Sequence, residues 1–369
     1  MIYLDNGATS FHKPPAVYRA VMDAMRSCAN PGRGGYGAAM LAARKIYGCR
    51  EQAAQLFDCD LEQVVLTTSC THGLNIAIRS LIKPGARVVV SGFEHNAVTR
   101  PLHALGAKIT VAGRKLFDWN DMLNRFESVL RKGQDAAVFT HVSNVFGYIL
   151  PVEEMAALCR RYGVPFILDA AQSAGTLPVS LKKLGADFIA MPGHKGLLGP
   201  QGTGLLLCGQ PGSPLMQGGT GSASAEQEMP DYLPDRLEPG TLNVPGFAGL
   251  REGLRYLNRM GPDMIHHREH EQMKRCAAGL EKLGMKVFSG EHQAATVSFL
   301  PGMDTEDAAE ILAKQGIAVR AGLHCAPYAH ESAGTLETGT VRVSFGYDCT
   351  DVETYSFLRA ATKLPPFLK

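Results

Sequence analysis

From about Val64 to Leu207, short apolar runs rich in β-branched residues alternate with amphipathic stretches, and this alternation narrows the possible folds more than any other feature of the chain. The β-rich runs fall at Val64 to Thr67, Val88 to Ser91, Lys108 to Val111, Ala136 to His141, Phe166 to Asp169, Phe188 to Met191 and Gly204 to Leu207. Helical periodicity fills most of the intervals. Apolar strands joined through helices predict an α/β fold, in which one wide, mostly parallel sheet of seven strands lies between helical layers.

With 369 residues, 45% of them hydrophobic, the chain has room for a second, smaller unit. Between Gln210 and Pro245, Gly, Pro and Ser accumulate without periodicity, which predicts a long irregular segment at the edge of the large domain. Helices are expected near Phe247 to Met260 and Asp263 to Leu283, followed by strands at Ala295 to Phe299 and Val341 to Phe345. The chain is therefore expected to divide into a large domain over residues 15-245 and a small α+β domain built from 1-14 and 246-369.

Open sheets of this kind bind ligands at the carboxyl ends of their strands, where loops run into helix N-termini that favour anions. Asp169 ends an apolar run there, a position that is costly for a carboxylate without a cationic partner and that serves equally well as a helix N-cap. Lys195 follows the next buried run within Gly193-His194-Lys195-Gly196, in a loop whose glycines let a ligand approach the backbone. Most loop lysines are solvated charges, but a desolvated amine can form an imine with an aldehyde. Ser69-Cys70-Thr71-His72 places hydroxyls and amides at a helix start, which suits a phosphate or simple capping. Glu94-His95-Asn96 and His141-Val142-Ser143-Asn144 add two more strand ends, where a histidine is more often a satisfied, partly buried side chain. Together these loops offer an anion cradle, a flat ring, amides, a carboxylate and a lysine, the set that pyridoxal phosphate requires.

The chain resembles the class V aminotransferase family of fold-type I pyridoxal-phosphate enzymes, and within it the branch of cysteine desulfurases and selenocysteine lyases. The resemblance covers nearly the whole chain. It is carried by Tyr3-Leu4-Asp5-Asn6-Gly7-Ala8-Thr9-Ser10, the Asp169 and Gln172 pair, the Gly193-His194-Lys195 loop, and Arg320-Ala321-Gly322-Leu323-His324-Cys325-Ala326. The resemblance implies that Lys195 bonds the cofactor aldehyde, that Asp169 faces the pyridinium nitrogen, and that Gln172 and Asn144 flank the ring hydroxyl. His95 would stack on the ring, and Cys70, Thr71 and His194 would hold the phosphate. Thr241, in Glu238-Pro239-Gly240-Thr241-Leu242-Asn243, would reach the phosphate of a second subunit, which implies a homodimer with shared sites. Asn6, Ala8, Arg320 and Arg342 would surround the substrate, with the Arg342 fork on its carboxylate.

The same resemblance makes Cys325 the thiol that takes sulfur from free cysteine as a persulfide, with alanine as product and a sulfur-acceptor protein as the next partner. Cations at Arg320 and His324 are expected to favour its thiolate. Selenocysteine lyase, aminotransferase or C-S lyase chemistry, and an idle cofactor-binding partner, remain as alternatives. The chain departs from the family pattern at Pro192, where a hydroxyl is usual, at His72 in the phosphate loop, and at Tyr36 and Phe146, which are expected to alter the substrate pocket.

Charge supports a small-molecule role. Lys and Arg number 37 against 35 Asp and Glu, with no basic run interleaved with aromatics, so neither nucleic acid nor a membrane surface is an expected partner. The N-terminus lacks a signal-peptide pattern and no run of about eighteen apolar residues occurs, which predicts a cytoplasmic address. Nine scattered cysteines without a Cys-x-x-Cys spacing predict reduced, mostly buried thiols rather than disulfides or a zinc site. His266, His267 and His270 include an i, i+4 pair, but Arg268, Glu269 and Glu271 between them predict a solvated helix face and no metal.

Overall fold

All seven expected β-rich runs are strands of a single sheet in the computed structural model, which describes residues 1–367 apart from residue 33. The chain opens with β1 (Ile2–Tyr3), α1 (Pro15–Ser27) and α2 (Gly37–Phe57). The sheet units follow: β2 (Val64–Thr67), α3 (Cys70–Leu81), β3 (Arg87–Ser91), α4 (Asn96–Ala104), β4 (Lys108–Ala112), α5 (Trp119–Leu130), β5 (Ala136–Thr140) and α6 (Val152–Tyr162). The sheet is completed by β6 (Phe166–Asp169), α7 (Leu181–Leu184), β7 (Phe188–Pro192) and β8 (Gly204–Cys208).

The strand order is β2-β8-β7-β6-β5-β3-β4. Neighbours from β7 through β4 are parallel, and β8 runs antiparallel to both strands beside it. Every residue of β5, β6, β7 and β8 is buried, because helices cover both faces. Alternation along each strand divides the core in two: Phe139, Leu168 and Met191 face the layer containing α2, α5 and α6, while Val138, Ile167 and Ala190 face α3 and α4. Register then aligns the chemistry, since Thr140 pairs with Asp169 and Asp169 with Ala190 at one edge of the sheet.

Beyond the irregular segment come α8 (Val244–Met260), α9 (Pro262–Lys282), β9 (Lys286–Phe288), β10 (Thr296–Leu300), α10 (Thr305–Ala313), β11 (Ile317–Ala318), α11 (Pro327–Ala333), β12 (Val341–Ser344) and α12 (Asp351–Ala361). Strand β10 pairs antiparallel with β9 and β12, and β1 returns to pair in parallel with β11, so Leu4 joins the small-domain core. Helix α8 behaves differently. Its Phe247, Leu250, Leu254 and Leu257 enter the same core as the sheet. The irregular segment is pinned at Glu238, whose buried carboxylate receives both η nitrogens of Arg50 at 2.6 Å. Among the described residues, no helix is long and apolar enough to cross a membrane.

Candidate active site

The carboxyl ends of the central strands converge on a cleft with a free volume of about 120 Å³, lined by Cys70, Thr71, His95, Asn144, Asp169, Gln172, His194 and Lys195. Eight residues singled out in the sequence thus meet in one place. Ser69, Thr140, Val142 and Pro192 complete much of the wall. Pro192 ends β7 there and brings no hydroxyl, as expected from its side chain.

Asp169, the last residue of β6, is 2% exposed. Its Oδ1 accepts from the Ala171 N–H at 2.9 Å and from the Cys70 thiol at 3.5 Å, and no partner meets Oδ2 among the described residues. A carboxylate at that depth calls for a donor or cation from a ligand. Burial, then Arg342, pushes the Lys195 ammonium below its ordinary value, against the opposing pull of Cys70 and Asp169. The amine is thereby biased toward its nucleophilic form. Its loop needs Gly193, since a Cβ there would collide with Thr203 Oγ1.

At the start of α3, Ser69 caps the helix by accepting from the His72 N–H at 3.1 Å. The N–H groups of Cys70 and Thr71, in the first turn, have no intrahelical acceptor and suit an anion. The Cys70 thiol itself turns to Asp169 and is held protonated, mainly by burial and then by that carboxylate. Cys70 therefore offers an anion its backbone rather than its side chain. His72 stays outside the cleft lining, with Nδ1 accepting from the Thr68 N–H at 3.3 Å.

His95 caps α4 through Nδ1, which accepts from the Ala97 N–H at 3.0 Å, so the ring proton lies on Nε2. Burial lowers its pKa, with Asp169 opposing and Lys195 assisting, which keeps the ring neutral. Burial likewise takes His194 down to about 4, helped by Lys195 and Lys13. Its Nδ1 is buried without a partner among the described residues, as is Asn144 Oδ1. Unsatisfied polar atoms around a cleft mark a place for a polar ligand. Glu94, beside His95, received no role from the sequence. It is fully buried, accepts from the Thr140 N–H at 3.0 Å and the Ser91 N–H at 3.2 Å, and so ties β3 to β5 under the site.

Two amides attach other segments to this cleft. Gln172 Nε2 donates to the Gly7 carbonyl at 3.0 Å, and Asn144 Nδ2 donates to the His324 carbonyl at 2.8 Å. The Asn96 N–H also donates to the Cys325 carbonyl at 2.8 Å, so the cysteine loop is stitched to the rim beside His95. Of the nine cysteines, all free, Cys325 is the exposed one. His324 and Cys325 both take left-handed backbone angles, with φ of 49° and 57°, which cost about 1–2 kcal/mol each for residues with a Cβ.

The expected cations beside Cys325 are not available in that form. His324 is buried, places Nε2 3.1 Å from the Thr340 carbonyl, and is driven down to about 2, chiefly by burial and then by Arg342 and His330. It is a neutral anchor. Arg320 pairs through Nε with Asp5 Oδ2 at 3.3 Å, with half its side chain exposed. Arg342 is 2% exposed and its fork is engaged, Nη2 with Asp5 Oδ1 at 2.5 Å and Nη1 with the Asn144 carbonyl at 2.9 Å. Its buried Nε alone has no partner among the described residues. Asp5, within the opening motif, therefore organises both arginines.

Ala8 closes a turn by donating its N–H to the Asp5 carbonyl at 3.0 Å, and Asn6 lines an adjoining chamber. Thr241 is exposed and lines a different cavity, with Arg50 and Glu238. Tyr36 is an exposed residue before α2, and Phe146 is a core residue 5.0 Å from the Phe288 ring. Neither lines the cleft of this chain. Glu269 is also corrected: it is buried on the inner stripe of α9 with Ile265, Met273, Cys276 and Leu280. The spacing of those apolar residues was the available signal.

Residues 2–355 match the family model described as aminotransferase class-V. Probable cysteine desulfurases from Pyrococcus abyssi and Methanothermobacter thermautotrophicus are 32% and 33% identical, covering 100% and 95% of this chain and 95% and 92% of their own lengths. Among solved structures, the apo cysteine desulfurase from Thermococcus onnurineus NA1 superposes with a TM-score of 0.89 at 32% identity, covering 98% of this chain and 94% of that one.

Proposed function

The chain belongs to the aminotransferase class-V family, and on that premise we propose that it is a pyridoxal-phosphate-dependent cysteine desulfurase that turns L-cysteine into L-alanine and takes the sulfur onto Cys325. The observation that carries this reading is the hydrogen-bonded attachment of the exposed Cys325 loop to the rim of the Lys195 and Asp169 cleft.

The residues of the cleft fit the cofactor. The free Oδ2 of Asp169 suits a pyridinium N–H, the first turn of α3 with Thr71 and His194 suits a phosphate, the neutral His95 ring suits stacking, and Asn144 and Gln172 suit the ring hydroxyl. Lys195 supplies the amine for the aldehyde. When bound, pyridoxal phosphate withdraws electrons from the substrate Cα. Lys195, once displaced, holds and moves the Cα proton. The Cys325 sulfur bonds the substrate sulfur as the substrate C–S bond breaks. The bonding pair stays with carbon, which takes a proton, so a thiol and cysteine become a persulfide and alanine with no outside oxidant. Asp5 holds Arg320 and Arg342 together, and the exposed Arg320 side chain is the readier of the two to meet a carboxylate.

A homodimer forms part of the same proposal. Tyr18, Met22, Met25, Met40 and Tyr47 leave α1 and α2 with an exposed apolar surface, and Thr241 stands away from its own cleft. The exposure of Cys325 suits handover to a sulfur acceptor, and nine free thiols suit a reducing, cytoplasmic setting. Incubation of wild type and Cys325→Ser with cysteine and selenocysteine, with mass spectrometry of alanine and of the protein, tests the proposal. Added sulfur on wild type, and its loss in the variant, is the expected outcome. Equal sulfur release by both, or a 2-oxo acid as main product, would overturn it.

A further inference from the structure

Lys195 and Gln172 also line a second chamber, which lies between the domains and extends to Glu269 on α9 and Asn6 of the N-terminal segment. It opens to solvent, and its free volume is about 50 Å³, room for a molecule of a few heavy atoms. Much of its remaining wall is apolar, with Val142, Ala294 and Phe345.

Glu269 is the unusual member. It is 6% exposed, and among the described residues no hydrogen-bond donor reaches its carboxyl. The charged group that acts on it is Asp348, another carboxylate, already paired with His12 at 2.9 Å. Asn6, a partly buried residue, also lines the chamber: its Nδ2 donates to the Ser344 carbonyl at 3.2 Å, while nothing among the described residues donates to its Oδ1.

Two residues that line one partly open chamber thus carry acceptors without donors among the described residues. Burial of an acceptor without a donor is costly, and a buried carboxyl in apolar surroundings stays protonated unless a cation arrives. The complement is a small molecule that carries both positive charge and N–H groups, and a planar one matches a carboxylate with two parallel hydrogen bonds.

We propose that this interdomain chamber is a second small-molecule site, which takes an organic cation whose N–H groups bond the Glu269 carboxylate and Asn6 Oδ1. The chamber shares Asn6, Gln172 and Lys195 with the residues assigned above to substrate, cofactor and catalysis, but Glu269 has no part in the sulfur-transfer reading, so the site stands whether or not Cys325 accepts sulfur. A cation held there would lie along the same wall as Lys195, so its occupancy would be felt at the amine.

Acetamidinium is a suitable probe, because it is planar, permanently charged at neutral pH and poorly reactive toward aldehydes. Acetamide has nearly the same shape without the charge. Saturation-transfer NMR on the two methyl signals, with cofactor-loaded wild type and Glu269→Gln, reads the site directly. The glutamine keeps the shape of a protonated glutamic acid, and an unchanged melting temperature verifies its fold. Acetamidinium is expected to bind wild type at least about tenfold more tightly than the variant, a difference near 1.4 kcal/mol. Acetamide is expected to bind both equally weakly. Equal acetamidinium affinity for the two proteins, or equal affinity of the two probes for wild type, overturns the proposal. Soaked wild-type crystals give an independent answer: the cation seated against Glu269 supports the site, and its absence from the chamber refutes it.

Discussion

The cleft around Asp169 and the loop around Cys325 solve opposite problems. Asp169 sits in the middle of the sheet, paired on both sides by β5 and β7, and is buried where its position cannot drift. Cys325 sits in solvent on a loop with two consecutive left-handed residues, held to the rim through Asn144 and Asn96. A group that must hold a ligand in one orientation gains from a rigid sheet edge. A group that must take an atom from one molecule and pass it to another needs exposure, and the fold tethers it by a few hydrogen bonds instead.

Replacement of Lys195 by Ala probes the rigid half most severely, because covalent attachment and proton transfer disappear together. Turnover of cysteine should fall by at least about 10⁴-fold, while circular dichroism remains that of wild type. Residual activity within tenfold of wild type would remove Lys195 from the chemistry. Asp169→Asn should follow, with a loss on the order of 10²–10³-fold in kcat and a weaker hold on pyridoxal phosphate by absorbance titration. An unchanged cofactor affinity would mean that Oδ2 faces no cation.

The tethered half should respond more gently. Asn144→Ala removes one of the hydrogen bonds that hold the cysteine loop, worth about 1 kcal/mol, so sulfur transfer to Cys325 should slow roughly fivefold. Alkylation of Cys325 by iodoacetamide should quicken at the same time. If neither rate moves, the loop is held by something other than this amide.

A further effect concerns pH. Burial lifts the Glu94 carboxyl to about 8, so the folded protein keeps a proton that the unfolded chain releases near pH 4.3. Stability from this group is complete below about pH 4 and falls as pH climbs toward 8, because the folded state binds more protons throughout that window. Glu94→Gln has no such proton, so its urea midpoint should decline less than that of wild type between pH 5 and pH 8. Parallel midpoints for the two proteins would show that Glu94 does not titrate in this range.

Sequence patterning reached the sheet almost residue by residue, since β5 through β8 are apolar on both faces and could be little else. It reached the cleft too, because strand ends carry their residues to a common edge whatever the connecting helices do. It misjudged α9 and the cysteine loop. Glu269 looked solvated among charged neighbours, and His324 looked like a cation beside Cys325. Each error concerns a charge whose state depends on what packs over it.

The order of elements, the large sheet, and the meeting of Lys195, Asp169, His95 and the α3 turn were therefore set by the amino-acid sequence alone. Local periodicity and strand direction suffice for those. Which histidines are neutral, how Asp5 engages both arginines, and which carboxyl is left without a donor were decided only by the tertiary structure. Burial and hydrogen-bond partners come from segments far apart in the chain, and the solvation they impose has no signature in any one of them.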